Sequence, residues 1–266
     1  MDKMVVLVTG ASTGIGRAVA DLLHDSGWHV VGSSRSEVAG AKWQWAHVDV
    51  DDDSSVAEVV GSTFEQNGRL DAVVHCAGWG LAGAAEQTPM VDAKAQVETN
   101  FWGAVRVANS TVPILRQRGG GRLIFMSSIG GLVALPFQSF YSASKFALEG
   151  YVEALAYEVA PFDVKVTLVE PGNFKTNFTA SRRMVPPPAP DVYAQARDKA
   201  ISLMVHDELN GADPESIAKA VETLLASAKP PLRVSVGKFD ERFGLIAKRL
   251  LPFSMFQRAA RSSLGV

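Results

Sequence analysis

The sequence predicts an α/β protein: a doubly wound parallel sheet of about seven strands with helices on both faces, folded as a single domain over residues 1–266. Three observations carry this. Short apolar runs alternate with longer helix-like stretches, a glycine-rich turn follows the first apolar run, and no internal repeat or compositional break divides the chain.

The first run, Met4–Thr9 (MVVLVT), is apolar up to its final threonine, the pattern of a strand buried on both faces. After the glycine turn, Arg17–His24 reads as a helix stopped near Gly27. Further strands are expected at His29–Gly32, Trp45–Val48, Ala72–His75, Leu123–Met126, Val164–Val169 and Arg233–Val236. Helices fill the intervals near 53–66, 90–117, 141–159 and 213–227. The irregular stretch is Asn173–Pro190, where PPPAP at 186–190 resists any regular element. We expect 173–210 to form a substrate-covering loop plus a helix, able to close as a lid. An extension follows at about 238–266. From Arg242 to Val266 it holds five basic residues and no acidic one, interleaved with Leu245, Ile246, Leu250, Leu251, Phe253, Met255 and Phe256. Pro252 interrupts it, so it is expected to pack on the protein itself, with a membrane surface as the alternative.

Composition narrows the function. Hydrophobic residues make up 47% of the chain and charged ones 20%, enough for a sizeable core. With 26 basic against 28 acidic side chains, the basic excess of a nucleic-acid binder is missing. Cys76 is the single cysteine, which excludes an intramolecular disulfide and a multi-cysteine metal site; no metal is expected. The opening MDKMVVLVTG lacks a secretory pattern, and the longest charge-free stretch, between Arg122 and Lys145, contains Pro136 and many polar residues. A soluble, cytoplasmic protein is the expectation.

The turn after the first strand reads Thr9-Gly10-Ala11-Ser12-Thr13-Gly14-Ile15-Gly16. Glycines let backbone amides come close to a ligand, and the helix start beyond them offers unpaired N–H groups to a phosphate. A dinucleotide site over Gly10, Ser12, Thr13, Gly14, Ile15 and Gly16 is therefore expected, with spacing GxxxGxG. The second strand ends Ser33-Ser34-Arg35 and carries no carboxylate for ribose hydroxyls. Arg35 suits a 2′-phosphate, with Ser33 or Ser34 adding a hydrogen bond, so NADP(H) is expected over NAD(H). Further on, Tyr141 and Lys145 lie four residues apart at the start of a helix and share one face. A nearby ammonium favours the phenolate and makes a tyrosine a useful general acid/base. Ser128 precedes Tyr141 by thirteen residues, just past a strand end.

Together with Asn100 in ETNFWG and the block EPGNFKT at 170–176, these motifs stand in an order that resembles the short-chain dehydrogenase/reductase family over essentially the whole chain. The runs AGWGLAGAAEQT and VEPGNFKTNF are most similar to the 17β-hydroxysteroid dehydrogenase-like branch. The resemblance implies a Rossmann-type fold and hydride transfer between nicotinamide and a carbonyl or secondary alcohol. It implies Tyr141 as acid/base, Ser128 as the donor holding the substrate oxygen, and Lys145 on the nicotinamide ribose, lowering the Tyr141 pKa. Asn100 would hold a relay water near Lys145. Asp49 and Val50 would contact adenine, while Pro171, Gly172, Phe174 and Thr176 would fix the carboxamide. One departure is His75-Cys76-Ala77-Gly78, where the family usually reads Asn-Asn-Ala-Gly. Cys76, Ala77 and Gly78 remain expected cofactor neighbours, with Cys76 a small buried side chain rather than a reactive thiol.

Apolar candidates for the substrate wall are Trp79, Leu135, Phe137, Phe174, Phe178 and Met184, with Leu135, Phe137, Phe178 and Ser128 in contact with substrate. They suit a hydrophobic, steroid- or retinoid-like substrate. Alternatives are another carbonyl, such as a β-ketoacyl thioester or small ketone, or a non-catalytic dinucleotide-binding regulator. A regulator need not keep Asn100, Ser128, Tyr141 and Lys145 together. The family also implies a homodimer or homotetramer built on the long helices.

Overall fold

The computed structural model of the protein describes residues 3–266; Met1 and Asp2 of the N-terminal segment read above lie outside the described residues. In chain order the first half runs β1 (Val5–Thr9), α1 (Gly14–Asp25), β2 (His29–Ser34), β3 (Gln44–His47), α2 (Asp53–Asn67), β4 (Ala72–His75) and β5 (Leu81–Ala82). It continues through α3 (Met90–Val97), α4 (Gly103–Gln117), β6 (Gly121–Met126) and α5 (Ser139–Val159). The remainder is β7 (Val164–Pro171), α6 (Phe178–Ser181), β8 (Arg183–Met184), α7 (Ala194–Leu209), α8 (Glu215–Ala226), β9 (Arg233–Val236), α9 (Phe239–Leu250) and α10 (Phe253–Ser263).

Seven strands form one parallel sheet in the order β3-β2-β1-β4-β6-β7-β9. Each of the seven strands read from the sequence is found there. Strand periodicity splits the side chains between two apolar layers. Val5 and Leu7 of β1 face α2, α4 and α5, while Val6 and Val8 face α1 and α8. Leu123 and Phe125 against Ile124 and Met126 repeat this on β6. Because β1 pairs with both β2 and β4, the chain winds outward in both directions from that pair. A crevice opens there, beyond the carboxyl ends of the strands.

Three segments refine the sequence reading. The expected helix at 90–117 is broken by a π-helical turn over Glu98–Trp102, because Asn100 is drawn inward to backbone groups of Trp79. Segment 173–210 carries the expected helix as α7 and borders the crevice through Phe174, Phe178, Met204 and Glu208. In it β8 pairs with β5, Arg182 is buried against Glu208, and Thr179 donates to Glu208 at 2.6 Å. Prolines 186–188 and 190 do lie outside regular structure. The extension forms α9 and α10, with Pro252 at the N-cap of the second helix.

His75 ends the central strand β4 with its ring sealed among Thr9 and Phe125, and it shares a 2.8 Å hydrogen bond with the Thr9 hydroxyl through Nδ1. Burial, helped by the Lys145 charge, drives its pKa down to about 3. A histidine titrates near 6.5 when unfolded, so between that value and about 3 the unfolded chain binds the extra proton and stability falls as pH is lowered. His75→Asn keeps a partner for Thr9 and removes that titration. Urea unfolding at pH 7 and pH 5 should show the wild type losing roughly 2 kcal/mol more than the variant on acidification.

Candidate active site

The crevice is a cleft of about 620 Å³ running from the glycine turn to α7. Its first wall is the turn between β1 and α1. Gly10 and Gly14 adopt φ of +68° and +56°, which only glycine tolerates without strain. A Cβ on Gly16 would fall 2.2 Å from the Gly10 carbonyl oxygen, and one on Gly10 would fall 2.7 Å from the Ala77 nitrogen. The turn is thus closed upon itself and pressed against the segment after β4. Thr13 caps α1 without a side-chain hydrogen bond, and the first turn of α1 carries no carboxylate. Its N–H groups remain available to an anion at the positive end of the helix dipole. Residues Gly10, Ser12, Thr13, Gly14, Ile15 and Gly16 all line the cleft.

At the rim, the Ser34 hydroxyl donates to Ser36 O at 2.7 Å and accepts from Trp45 Nε1 at 3.1 Å. Arg35 is exposed on the cleft edge and makes no ion pair among the described residues. Asp49 and Val50 form the neighbouring wall, Val50 being buried against Gly103. Donors, a helix start and an unpaired guanidinium therefore face the space that a dinucleotide phosphate would fill. The residues present fit such a group.

The reacting end is assembled from β6, α5 and the turn after β4. Ser128 caps a short helical turn after β6, its hydroxyl accepting from Gly130 N at 3.0 Å, and it is hydrogen-bonded to the Tyr141 phenol. Gly130 makes this approach possible, since a Cβ there would sit 3.1 Å from the Tyr141 ring and 3.2 Å from Ser128 Oγ. One turn along α5, the Lys145 ammonium donates to Met126 O at 2.8 Å. Asn100 is buried behind the cleft: its Oδ1 accepts from Trp79 N at 3.0 Å, while Nδ2 donates to Trp79 O at 3.0 Å and Ser144 Oγ at 3.2 Å. A Cβ on Gly78 would lie 3.1 Å from Asn100 Oδ1 and 3.7 Å from Lys145 Nζ, so Gly78 keeps these two groups together.

The expected lowering of the Tyr141 pKa by Lys145 is not what the structure shows. Burial pushes the phenol up to about 12, and the groups acting on it besides burial are Ser128, Glu208 and Arg182. Burial also pulls Lys145 down to about 8, against the opposing pull of Cys76 and Glu149. The Tyr141 proton is therefore held through the neutral range, which suits a group that donates to a carbonyl oxygen.

Pro171, Gly172, Phe174 and Thr176 follow β7 into the cleft. Glu241 of α9 pins this segment through Oε1, which accepts from Asn173 N at 2.9 Å and Asn173 Nδ2 at 2.7 Å. Phe178 lies with its ring 5.7 Å from that of Tyr141, and Leu135 and Trp79 complete the apolar wall. Two expected wall residues are elsewhere. Phe137 does not line the cleft; its backbone, at φ +58°, turns the ring onto Tyr193. Met184 is exposed on β8. The sequence reading missed Gln138 beside Tyr141, Met204, Asp207 and Glu208 on one face of α7, and Leu264 after α10, all of which line the cleft. The i, i+3, i+4 spacing of the α7 trio was the available signal.

The profile of the short chain dehydrogenase family matches residues 4–185. The chain is 38% identical over 264 residues to a 3-ketodihydrosphingosine reductase of Bacteroides thetaiotaomicron, covering 98% of both chains. It is 34% identical to retinol dehydrogenase 8 of Bos taurus, over 86% of this chain and 80% of that one. A short-chain dehydrogenase from Streptomyces avermitilis superposes with a TM-score of 0.85 at 30% identity, covering 98% of each chain. The protein belongs to the short-chain dehydrogenase/reductase family. It is an NAD(P)-dependent oxidoreductase acting on CH–OH and carbonyl groups.

Cys76 lines the cofactor side half-buried, and burial pushes its thiol up to about 12. The thiolate is the reactive form, so iodoacetamide at pH 8 should leave Cys76 unmodified in the native protein and alkylate it promptly after unfolding in urea. Mass spectrometry reads the difference; rapid native alkylation would make the thiol reactive after all.

Proposed function

We propose that the protein is an NADP(H)-dependent reductase or dehydrogenase of a hydrophobic ketone or secondary alcohol. The observation that carries this is the Ser128–Tyr141 hydrogen bond standing in one cleft with Lys145 and the open start of α1. The nicotinamide dinucleotide, when bound, supplies or accepts the hydride. The turn at 10–16 and the first amides of α1 would hold its pyrophosphate, and Lys145 the ribose near the reacting end. Ser128 orients the substrate oxygen, and Tyr141 Oη hands it the proton in reduction or withdraws it in oxidation. Phe178, Leu135, Trp79 and Met204 exclude water and bind the apolar body of the substrate. The relatives are named for 3-ketodihydrosphingosine and retinol, which favours a long apolar carbonyl or alcohol over a small ketone. Exposed Trp102 and Tyr157 at the long helices support a homo-oligomer.

Preference for the phosphorylated cofactor rests on Arg35, because no carboxylate ends β2 and the Ser34 hydrogen is committed to Ser36. Arg35→Ala should weaken NADPH about 10- to 100-fold, the equivalent of a charged hydrogen bond, and leave NADH nearly unchanged in fluorescence titrations. A wild type that binds NADH more tightly overturns this assignment. For the chemistry, NADPH oxidation is followed over a panel of steroids, retinoids, long-chain ketones, β-ketoacyl thioesters and small ketones. Tyr141→Phe should lower turnover roughly 10²- to 10⁴-fold with NADPH affinity retained. Near-normal turnover would remove Tyr141 from the proton transfer.

A further inference from the structure

The C-terminal extension turns its apolar side outward. In α9, Phe239, Phe243, Ile246 and Leu250 recur at intervals of four, three and four residues, which places them in one stripe along the helix. These side chains are 82%, 57%, 54% and 75% exposed, and the rings of Phe239 and Phe243 stack on each other. The polar residues of α9 hold it to the protein instead. Glu241 grips Asn173, and Lys248 donates to Leu132 O and covers the Phe146 ring at 5.1 Å. Phe253 and Met255 of α10 are exposed as well. Leu245 and Phe256 are half-buried, while the stripe itself stays exposed and neither helix buries a residue fully. A contiguous apolar stripe of this kind marks an interaction surface.

The charges decide what covers it. Arg242 and Arg249 are exposed and lie seven residues apart, so they flank the stripe on the same side. Residues 242–266 hold five of the chain's 26 basic residues and none of its 28 acidic ones. Pairing of α9 with a second copy of itself, antiparallel about a twofold axis, would set Arg242 of each helix against Arg249 of the other. The edge that carries the arginines would then be a double like-charge contact. An anionic phospholipid surface accepts the same face with both arginines matched: rings and aliphatic side chains sink to headgroup depth and the arginines meet phosphates, while the exposed Asp240 lies toward the opposite flank at the start of the helix. The face also adjoins the cleft, since Leu264 after α10 lines it and Glu241 pins its cofactor side. We propose that α9, continued by the start of α10, docks the protein peripherally on anionic lipid bilayers. This holds whichever substrate the cleft takes.

Flotation of the full chain with vesicles tests it. The protein should rise with phosphatidylcholine–phosphatidylglycerol vesicles, stay behind with phosphatidylcholine alone, and detach as ionic strength is raised. Neutralising both arginines, R242Q with R249Q, should lower partitioning about 25-fold, roughly fivefold for each charge. Phe243→Ser with Ile246→Ser should abolish it. Both pairs should keep the wild-type unfolding midpoint and NADPH affinity, because these side chains touch neither core nor cleft. A wild type that ignores the mixed vesicles, or a serine pair that floats as well as wild type, overturns the proposal. A serine pair that splits a dimer in sedimentation velocity, with no vesicle binding by the wild type, assigns the face to a second copy.

Discussion

Everything in the cleft depends on how closely the turn after β1 approaches the turn after β4. The two strands pair side by side, and the chain leaves them toward opposite edges of the sheet. Side chains at positions 10 or 16 would push these turns apart, because the Cβ positions are already filled by backbone of residues 77 and 10. The same contact sets Cys76, Ala77 and Gly78 as a shared wall. One face of that wall meets the glycine turn, and the other, through Gly78, adjoins Asn100 and Lys145. The glycine turn and the Asn100–Lys145 pair are therefore placed relative to one another by a single backbone approach.

A second constraint is polar. Asn100 satisfies both the N–H and the C=O of Trp79, which the short strand segments nearby leave without sheet partners. Gln96 Nε2 adds a 2.8 Å bond to the same carbonyl oxygen. A π-helical turn is the local cost of reaching inward, and the helix resumes at Gly103, where a small residue lets it pack on Val50. The reach from the π-helical turn to α5 through Asn100 and Ser144 ties the Trp79 segment to the helix that carries Tyr141.

The fold was legible because strands buried on both faces are written as nearly unbroken apolar runs, which a parallel sheet demands. Val5–Thr9 and Ala72–His75 needed no partner information to be recognised. Ser128, Tyr141, Lys145 and the glycine turn were legible for another reason: each owes its place to local spacing on one element or one turn. Met204, Asp207, Glu208 and Leu264 were not legible, because they reach the cleft through the folding back of 173–210 and the extension. That path is set by the buried Arg182–Glu208 pair and the β5–β8 pairing. Phe137 and Met184 failed in the opposite direction. Both are apolar and close in sequence to site residues, but a left-handed backbone and an edge strand turn them away. The expected control of Lys145 over Tyr141 has no counterpart here, since burial dominates at both groups and Lys145 is not among the groups acting on the phenol.

Glu241 has one further meaning. Its carboxylate occupies the space beside Gly172 so fully that a Cβ there would lie 2.0 Å from Oε2, and the same residue accepts from Asn173 and Lys238. The extension is consequently a keystone set against the loop that follows β7 into the cleft rather than an appendage trailing from it. Positions 172 and 241 share one space: a side chain at 172 would displace the Glu241 carboxylate from its place against Asn173. A substitution at 172 would therefore be felt first in the C-terminal extension, through the carboxylate that ties α9 to the loop after β7.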